Sequence, residues 1–445
     1  MRNILLIVLL GLSLATFSQK QFSKKVGLTT KDELLLNSYD KDSTATSIVL
    51  QEFANLYIDK ENDYAFRTDY YKRVKLFNKD DEEKATVTIY LYDKQKVNNI
   101  KAITYTLRNG EVKKTFLLDS QIFKKQTSDK WKEVTFTLPN IQEGCIIEYS
   151  YSIISPYEKL DDWYFQSDIP KLISEHRSSI PGNWVYKTRL VGFEKLDKDE
   201  IFIKKSCLQV PGISKAGDCI VKEYAMYDVP AFEEEDYMLS KKNFLARLSF
   251  DLETFTTTDG VTKRYTKTWK DADKTLKKLF FDNQTSKKNY FKKKLPPHLF
   301  EISDTLKRAK ETFYFLQDRM HWNEKFWTSK DLKIKRVYDI KKGSVDAINL
   351  VLHNSLQALG IESYIAVLST RDHGLPTKLY PVVYDFNYAI VKAVINGEAY
   401  FLDLTNKFIP FGEVPMRCLN GEARVLDFKN GSYWEEIIPL SLIHI

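Results

Sequence analysis

Between residues 65 and 155 apolar side chains recur at every second position. Ala85, Val87, Ile89 and Leu91 alternate with Thr86, Thr88, Tyr90 and Tyr92, the period-two pattern of a strand with one buried face. Ile103, Tyr105 and Leu107 lead into Asn109-Gly110, and residues 112–117 return. Both turn residues tolerate positive φ, so this pair predicts a tight hairpin. Val134, Phe136 and Leu138 form another alternating face, and Ile147, Tyr149, Tyr151 and Ile153 a fourth. Further strands are predicted at 186–191, 220–226 and 245–255. Short strands separated by turns predict an antiparallel β-sandwich over residues 61–262.

After Pro296-Pro297 the period becomes helical. Ile302, Leu306, Ala309, Phe313, Leu316 and Met320 step by three and four and give one apolar stripe. A second helix is predicted over 345–359, burying Val345, Ile348, Leu352, Leu356 and Leu359, with Gly360 suited to its C-terminal cap. Strands follow at 364–370, 388–395 and 399–404, the last two joined by Asn396-Gly397. Two helices followed by antiparallel strands predict an α+β domain over 296–415. The fold class expected is therefore multidomain, β plus α+β. Residues 19–60 read as a polar leader, with a helix at 46–57. Residues 416–445 read as a C-terminal extension, its apolar end suggesting truncation. From 263 to 294 there are 12 lysines and arginines against three aspartates, and 263–295 is assigned as a basic linker, the alternative being a docking patch for an acidic partner.

The N-terminus changes the setting. Arg2, an apolar run from Ile4 to Leu14, and small residues at Thr16 and Ser18 predict a signal peptide over 1–18, cleaved before Gln19. The run is too short to span a bilayer as a helix; the alternative is an uncleaved anchor. Localisation is then periplasmic or secreted, and the mature form is expected to lack a transmembrane span. Net charge is +7, from 67 basic and 60 acidic residues, a modest excess that does not by itself indicate a polyanion. Export argues against nucleic acid as a partner. Cys207 and Cys219 flank Pro211-Gly212 and could bridge in an oxidising compartment, whereas Cys145 reads as a buried structural thiol. The cysteine spacing is no zinc pattern, and no metal or cofactor is predicted.

The order of elements after Pro296 resembles the transglutaminase-like superfamily, which shares the papain-like cysteine-protease fold. That resemblance rests on Lys342-Gly343-Ser344-Val345-Asp346-Ala347, on Leu359-Gly360-Ile361, on Asp385-Phe386-Asn387-Tyr388-Ala389, and on Leu402-Asp403-Leu404-Thr405. It implies a cysteine at a helix start, a histidine on a strand and an aspartate on the hairpin partner. A helix N-terminus favours thiolate, the histidine takes the proton, and the aspartate orients it. Here those positions fall on Val345, Tyr388 and Asp403, so only the aspartate survives. The β-rich half, through 140–149 and Val229-Pro230-Ala231-Phe232, resembles the uncharacterised domain that precedes such domains in bacterial envelope proteins. The resemblance implies a non-catalytic protein that binds or scaffolds, its partner an envelope peptide, protein or glycan.

Two other classes stay open: an amide-bond enzyme (transglutaminase, amidase or protease) with a relocated nucleophile, and a glycan-binding protein. Ser344 is one residue from the nucleophile position, and its plainer role is to cap the helix beginning at Val345. His373, in a loop after a strand, could line a cleft. His353 lies two turns into the helix and reads as a satisfied helical histidine. Asp403 could simply hydrogen-bond within its own turn. Trp163, Tyr164 and Phe165 read as core, with an exposed carbohydrate platform as the alternative.

Overall fold

The computed structural model describes residues 28–437, apart from residues 129, 237, 266–267, 280, 282–283 and 328–332. The expected signal peptide and the last eight residues lie outside this range. The first half is built on one eight-stranded sheet. Its members are β1 (Ser47–Asp59), β2 (Ala65–Leu76), β4 (Lys96–Arg108), β5 (Glu111–Phe116), β8 (Ile146–Ser155), β10 (Lys171–Pro181), β12 (Lys198–Leu208) and β13 (Gly217–Val229). They lie in the order β12-β13-β10-β1-β2-β8-β4-β5. Every pairing is antiparallel except β1 with β10.

Two smaller sheets cover parts of one long one. The first contains β3 (Thr86–Tyr92), β6 (Ile122–Gln126) and β7 (Trp131–Thr137). Its Ile89, Leu91, Val134 and Phe136 close on Val49, Val74, Ala102 and Ile147 of the large sheet. The second contains β9 (Trp163–Tyr164), β11 (Trp184–Val191), β14 (Arg247–Thr256) and β15 (Thr262–Arg264). There Trp163, Leu248 and Phe250 pack against Leu56, Phe66 and Met226. The expected alternating strands therefore form, as a large sheet with two partial covers. Asn109 and Gly110 both take positive φ, 53° and 75°, and Arg108 pairs with Glu111 across them. Trp163 and Phe165 are core residues. Cys207 and Cys219 are disulfide-bonded, Cα to Cα 5.7 Å, tying β12 to β13; Cys145 is free and buried.

The leader segment departs from expectation. Residues 46–57 are not a helix; they supply most of β1, a central strand between β2 and β10. Its first six residues are all buried, because both faces of this strand meet core, Val49 one cluster and Ile48 and Leu50 another. A strand buried on both sides loses its alternation and reads like a helix. The short helix α1 (Lys31–Leu34) precedes it, closed by a reciprocal cap between Thr30 and Glu33.

The second half contains α2 (Trp269–Leu279), α3 (Lys288–Phe291), α4 (His298–Glu301), α5 (Thr305–Arg319), α6 (Ile334–Ile340) and α7 (Val345–Ala358). The two-residue strands β16 (His321–Trp322) and β17 (Lys342–Gly343) pair in parallel. A five-stranded antiparallel sheet holds β18 (Glu362–Leu368), β19 (Tyr388–Ile395), β20 (Glu398–Leu402), β21 (Glu422–Leu426) and β22 (Tyr433–Glu436), in the order β20-β19-β18-β21-β22. α7 packs on this sheet, and Val345, Ile348, Leu352 and Leu356 are all fully buried.

The basic linker and the C-terminal extension are corrected. Within 263–295, α2 buries Ala272 and Leu276 in the core of the second half; its lysines occupy the other face and conceal an amphipathic helix. Within 416–445, β21 pairs with β18. The two segments are stapled to each other. Arg424 of β21 donates from Nε and Nη2 to the two oxygens of Asp273 at 2.7 and 2.9 Å, with both residues buried.

Candidate functional site

The three positions assigned to the degenerate triad meet at one end of α7. Val345, its first residue, is fully buried against Tyr388, Ala366, Leu368, Ile390 and Phe401. Tyr388 opens β19 and is also inaccessible. Its hydroxyl lies 3.0 Å from Thr405 Oγ1. Asp403, just past β20, accepts the Thr405 backbone N–H at 2.5 Å and sits close enough to raise the Tyr388 hydroxyl pKa, after burial, which is the larger cause. Burial likewise lifts the Asp403 carboxyl above its ordinary value. An ionised tyrosine is thus strongly disfavoured here, and Tyr388 has no use as a base near neutral pH.

The helix start offers no room for an anion. The N–H of Val345 donates to the Lys325 carbonyl at 3.0 Å, and that of Asp346 to the Phe326 carbonyl at 3.3 Å. The Ala347 N–H is taken by Asp346 Oδ1 at 2.8 Å. The free donors that a helix N-terminus would lend to a thiolate or an oxyanion are therefore already used. Phe326 also caps the space from above, its ring edge-on to Tyr388 at 5.3 Å and stacked with Trp322 at 6.0 Å. The Arg417 guanidinium lies over Trp322 at 4.7 Å and Tyr388 at 5.8 Å, completing an aromatic and cationic plug.

Gly343 is explained by this packing. A Cβ there would stand 2.8 Å from Val337 Cγ1 and 3.2 Å from both Ala347 Cβ and Ile348 Cγ2, so β17 can approach α6 and α7 only without a side chain. Ser344 occupies the N-cap position with extended backbone, but its side chain makes no capping bond. Instead Oγ donates to Asp346 Oδ1, with both residues buried. A hydroxyl held in this way is buried and committed to a neighbouring carboxylate.

His373 is not part of this cluster. Its Nε2 lies 3.1 Å from the Tyr384 carbonyl, and its charged neighbours Lys242, Lys159 and Asp162 all come from the first half. Partial desolvation by surrounding atoms lowers its pKa, although the residue stays exposed at the surface. His353 is buried inside α7 with Nδ1 3.1 Å from Ser363 Oγ, and burial brings its pKa down to about 4, so it stays neutral at physiological pH. Among the described residues no group of histidine, cysteine or acidic side chains is arranged to hold a metal ion.

Two residues of this site escape a linear reading. Cys418 arrives on a short turn 73 residues after Val345 and is fully buried in the same cluster as Val345 and Tyr388. Burial, with a contribution from Asp403, pushes its thiol pKa well up, so the thiolate is suppressed. Asn349, one turn into α7, donates from Nδ2 to the Ala389 carbonyl at 2.8 Å and accepts the Leu404 N–H at Oδ1 at 3.0 Å. It locks the helix to the backbone beside Tyr388 and Asp403. Nothing in the spacing of these residues marks either one.

Close to Tyr388 in sequence, Asp385 carries a pH dependence. Its Oδ2 accepts the Thr377 N–H at 2.8 Å, Arg189 lies nearby, and Asp251 and Asp162 are like-charged neighbours. Burial raises its pKa from 3.8 to about 6. The folded state then holds a proton that the unfolded chain has released between pH about 4 and 6, so this carboxyl's contribution to stability falls as pH rises through that window. Chemical denaturation of wild type and Asp385→Asn at pH 4 and pH 7 should show the variant gaining about 1–2 kcal/mol relative to wild type at the higher pH. An unchanged difference would contradict a protonated buried carboxyl.

No known protein family matches the chain, and no curated protein does. Among solved structures it is similar to a "putative protease" from Parabacteroides distasonis, with 16% identity and a TM-score of 0.58, covering 89% of this chain and 72% of that one. It also aligns with an M1 zinc metallopeptidase from Deinococcus radiodurans, at 12% identity and a TM-score of 0.23 over 48% of this chain and 44% of that one. The first likeness shows a shared overall fold, β plus α+β. The second is too slight to use.

Proposed function

We propose that this chain is an exported protein of the bacterial envelope, periplasmic or secreted, whose second half is a transglutaminase-like framework without catalysis. It binds or scaffolds an envelope peptide, protein or glycan. One observation carries this reading above the others: the nucleophile position is a buried valine, Val345, and the helix N–H groups beside it are already bonded to Lys325 and Phe326. Valine offers no lone pair or proton, Tyr388 cannot take one, and the plug of Trp322, Phe326 and Arg417 leaves no place for a scissile bond. Among the described residues no helix is long and apolar enough to cross a membrane.

A second reading is an amide-bond hydrolase with a displaced nucleophile. It draws on the Cys418 thiol in the same cluster and on the description of the Parabacteroides distasonis protein as a protease. Ser344, the candidate suggested by sequence, donates to the Asp346 carboxylate, and Cys418 is a second candidate in the same region. Labelled amine-transfer and peptide-hydrolysis assays on the wild type, Ser344→Ala and Cys418→Ala separate the two readings. The expected result is no turnover above the protein-free rate in any of the three. Wild-type turnover abolished by either alanine substitution would establish the hydrolase instead.

A further inference from the structure

Among the described residues the large sheet ends at β12, a strand paired on one side only, with β13. At its centre stand three consecutive large apolar residues in the open. Ile201 and Ile203 are each 62% exposed and Phe202 43%. An exposed apolar edge is a template for another strand, and proteins commonly block it with charges. Here the flanking charges do something else. They are sorted by sign, Asp199-Glu200 before the apolar run and Lys204-Lys205 after it.

That order is self-complementary in one register. If two copies of β12 pair antiparallel about Phe202, Glu200 of each faces Lys204 of the other, Asp199 faces Lys205, and Ile201 faces Ile203. Side chains directly opposite share a face of the sheet. One face would carry Phe202 against its own equivalent between two Glu–Lys pairs; the other would carry the two Ile–Ile pairs between two Asp–Lys pairs. A parallel arrangement in register would instead set acid against acid and base against base, so the sequence also selects direction. Within its own chain Glu200 lies 3.5 Å from Lys198, and Lys205 lies 2.8 Å from Asp218 with a side chain that is 77% exposed. Both remain accessible to a second partner. The Cys207–Cys219 bridge clamps the end of β12 to β13, which keeps the edge strand seated while it presents its outer side.

We infer that β12 is a self-association edge, and that two copies of this chain join there through antiparallel strand pairing centred on Phe202, making one continuous sheet. The contact is two-fold and isologous. A seven-residue edge is small beside a standard interface, so the dimer should be reversible and concentration-dependent. This inference is independent of whether the second half is catalytic.

Sedimentation of the full chain over a wide concentration range tests it. The wild type should move from monomer to dimer mass as concentration rises. Glu200→Lys sets two lysines against each other twice per dimer and should weaken association by about tenfold or more. Glu200→Lys combined with Lys204→Glu restores opposite charges and should restore the dimer. Phe202→Cys should give an interchain disulfide on mild oxidation, seen as a dimer on a non-reducing gel, whereas Phe123→Cys on the three-stranded sheet should not. A monomeric wild type at every concentration would overturn the inference. So would a dimer indifferent to Glu200→Lys, or one that the double charge reversal fails to rescue.

Discussion

Replacing Asn349 with leucine is expected to destabilise the protein by about 2–5 kcal/mol, although leucine fits the volume and belongs in a helix. Asn349 is fully buried and spans two backbone groups from different places, the Ala389 carbonyl in β19 and the Leu404 N–H beyond β20. Leucine leaves both groups desolvated and unpaired, and each such group costs roughly 1–3 kcal/mol. Asn349→Asp separates polarity from fit. The carboxylate can still accept the Leu404 N–H, but it cannot donate to Ala389, and it buries a charge. That variant should be the weaker of the two at neutral pH and should recover as pH falls and the carboxyl takes a proton. Denaturant midpoints at two pH values decide this. A leucine variant as stable as the wild type would mean that Asn349 does not carry the two bonds.

Much of this framework can be read from the sequence, because its helices and strands keep their periods. α5 begins where Asp304 accepts the Lys307 N–H at 2.6 Å, and Asn396-Gly397 turns β19 into β20 with both residues at positive φ. What hides is what long-range contact decides. β1 reads as a helix because it is buried on both faces, and one of its two neighbours, β10, lies more than a hundred residues away. α2 hides behind its lysines. Val345, Tyr388 and Asp403, singled out by short motifs as expected triad positions, lie near one another in the structure. Ser344 and His373 do not converge, since one faces Asp346 and the other the first half. Cys418, Arg417 and the two carbonyls that fill the helix start come from segments with no motif of their own.

The same contrast between local signal and distant partner makes Arg424 the second position of large expected effect. Arg424→Ala should cost about 3–5 kcal/mol, because it strands Asp273 as an uncompensated buried charge. Asp273→Ala should cost a similar amount by stranding the guanidinium, although Arg424 also lies over Trp269 at 4.5 Å and Trp434 at 5.7 Å, which softens that loss. The double replacement Arg424→Met with Asp273→Leu should recover most of the stability, since removing both charges removes the desolvation cost as well as the attraction. Melting curves of the wild type, the two single alanine variants and the double alanine variant form a double-mutant cycle whose coupling reports the pair apart from effects that either site has alone. The pair joins α2, taken from sequence as a linker, to β21, taken as a C-terminal extension. If the single variants lose little and the double gains nothing, those two segments are not stapled, and the sheet beside Tyr388 and Cys418 must be held by apolar packing alone.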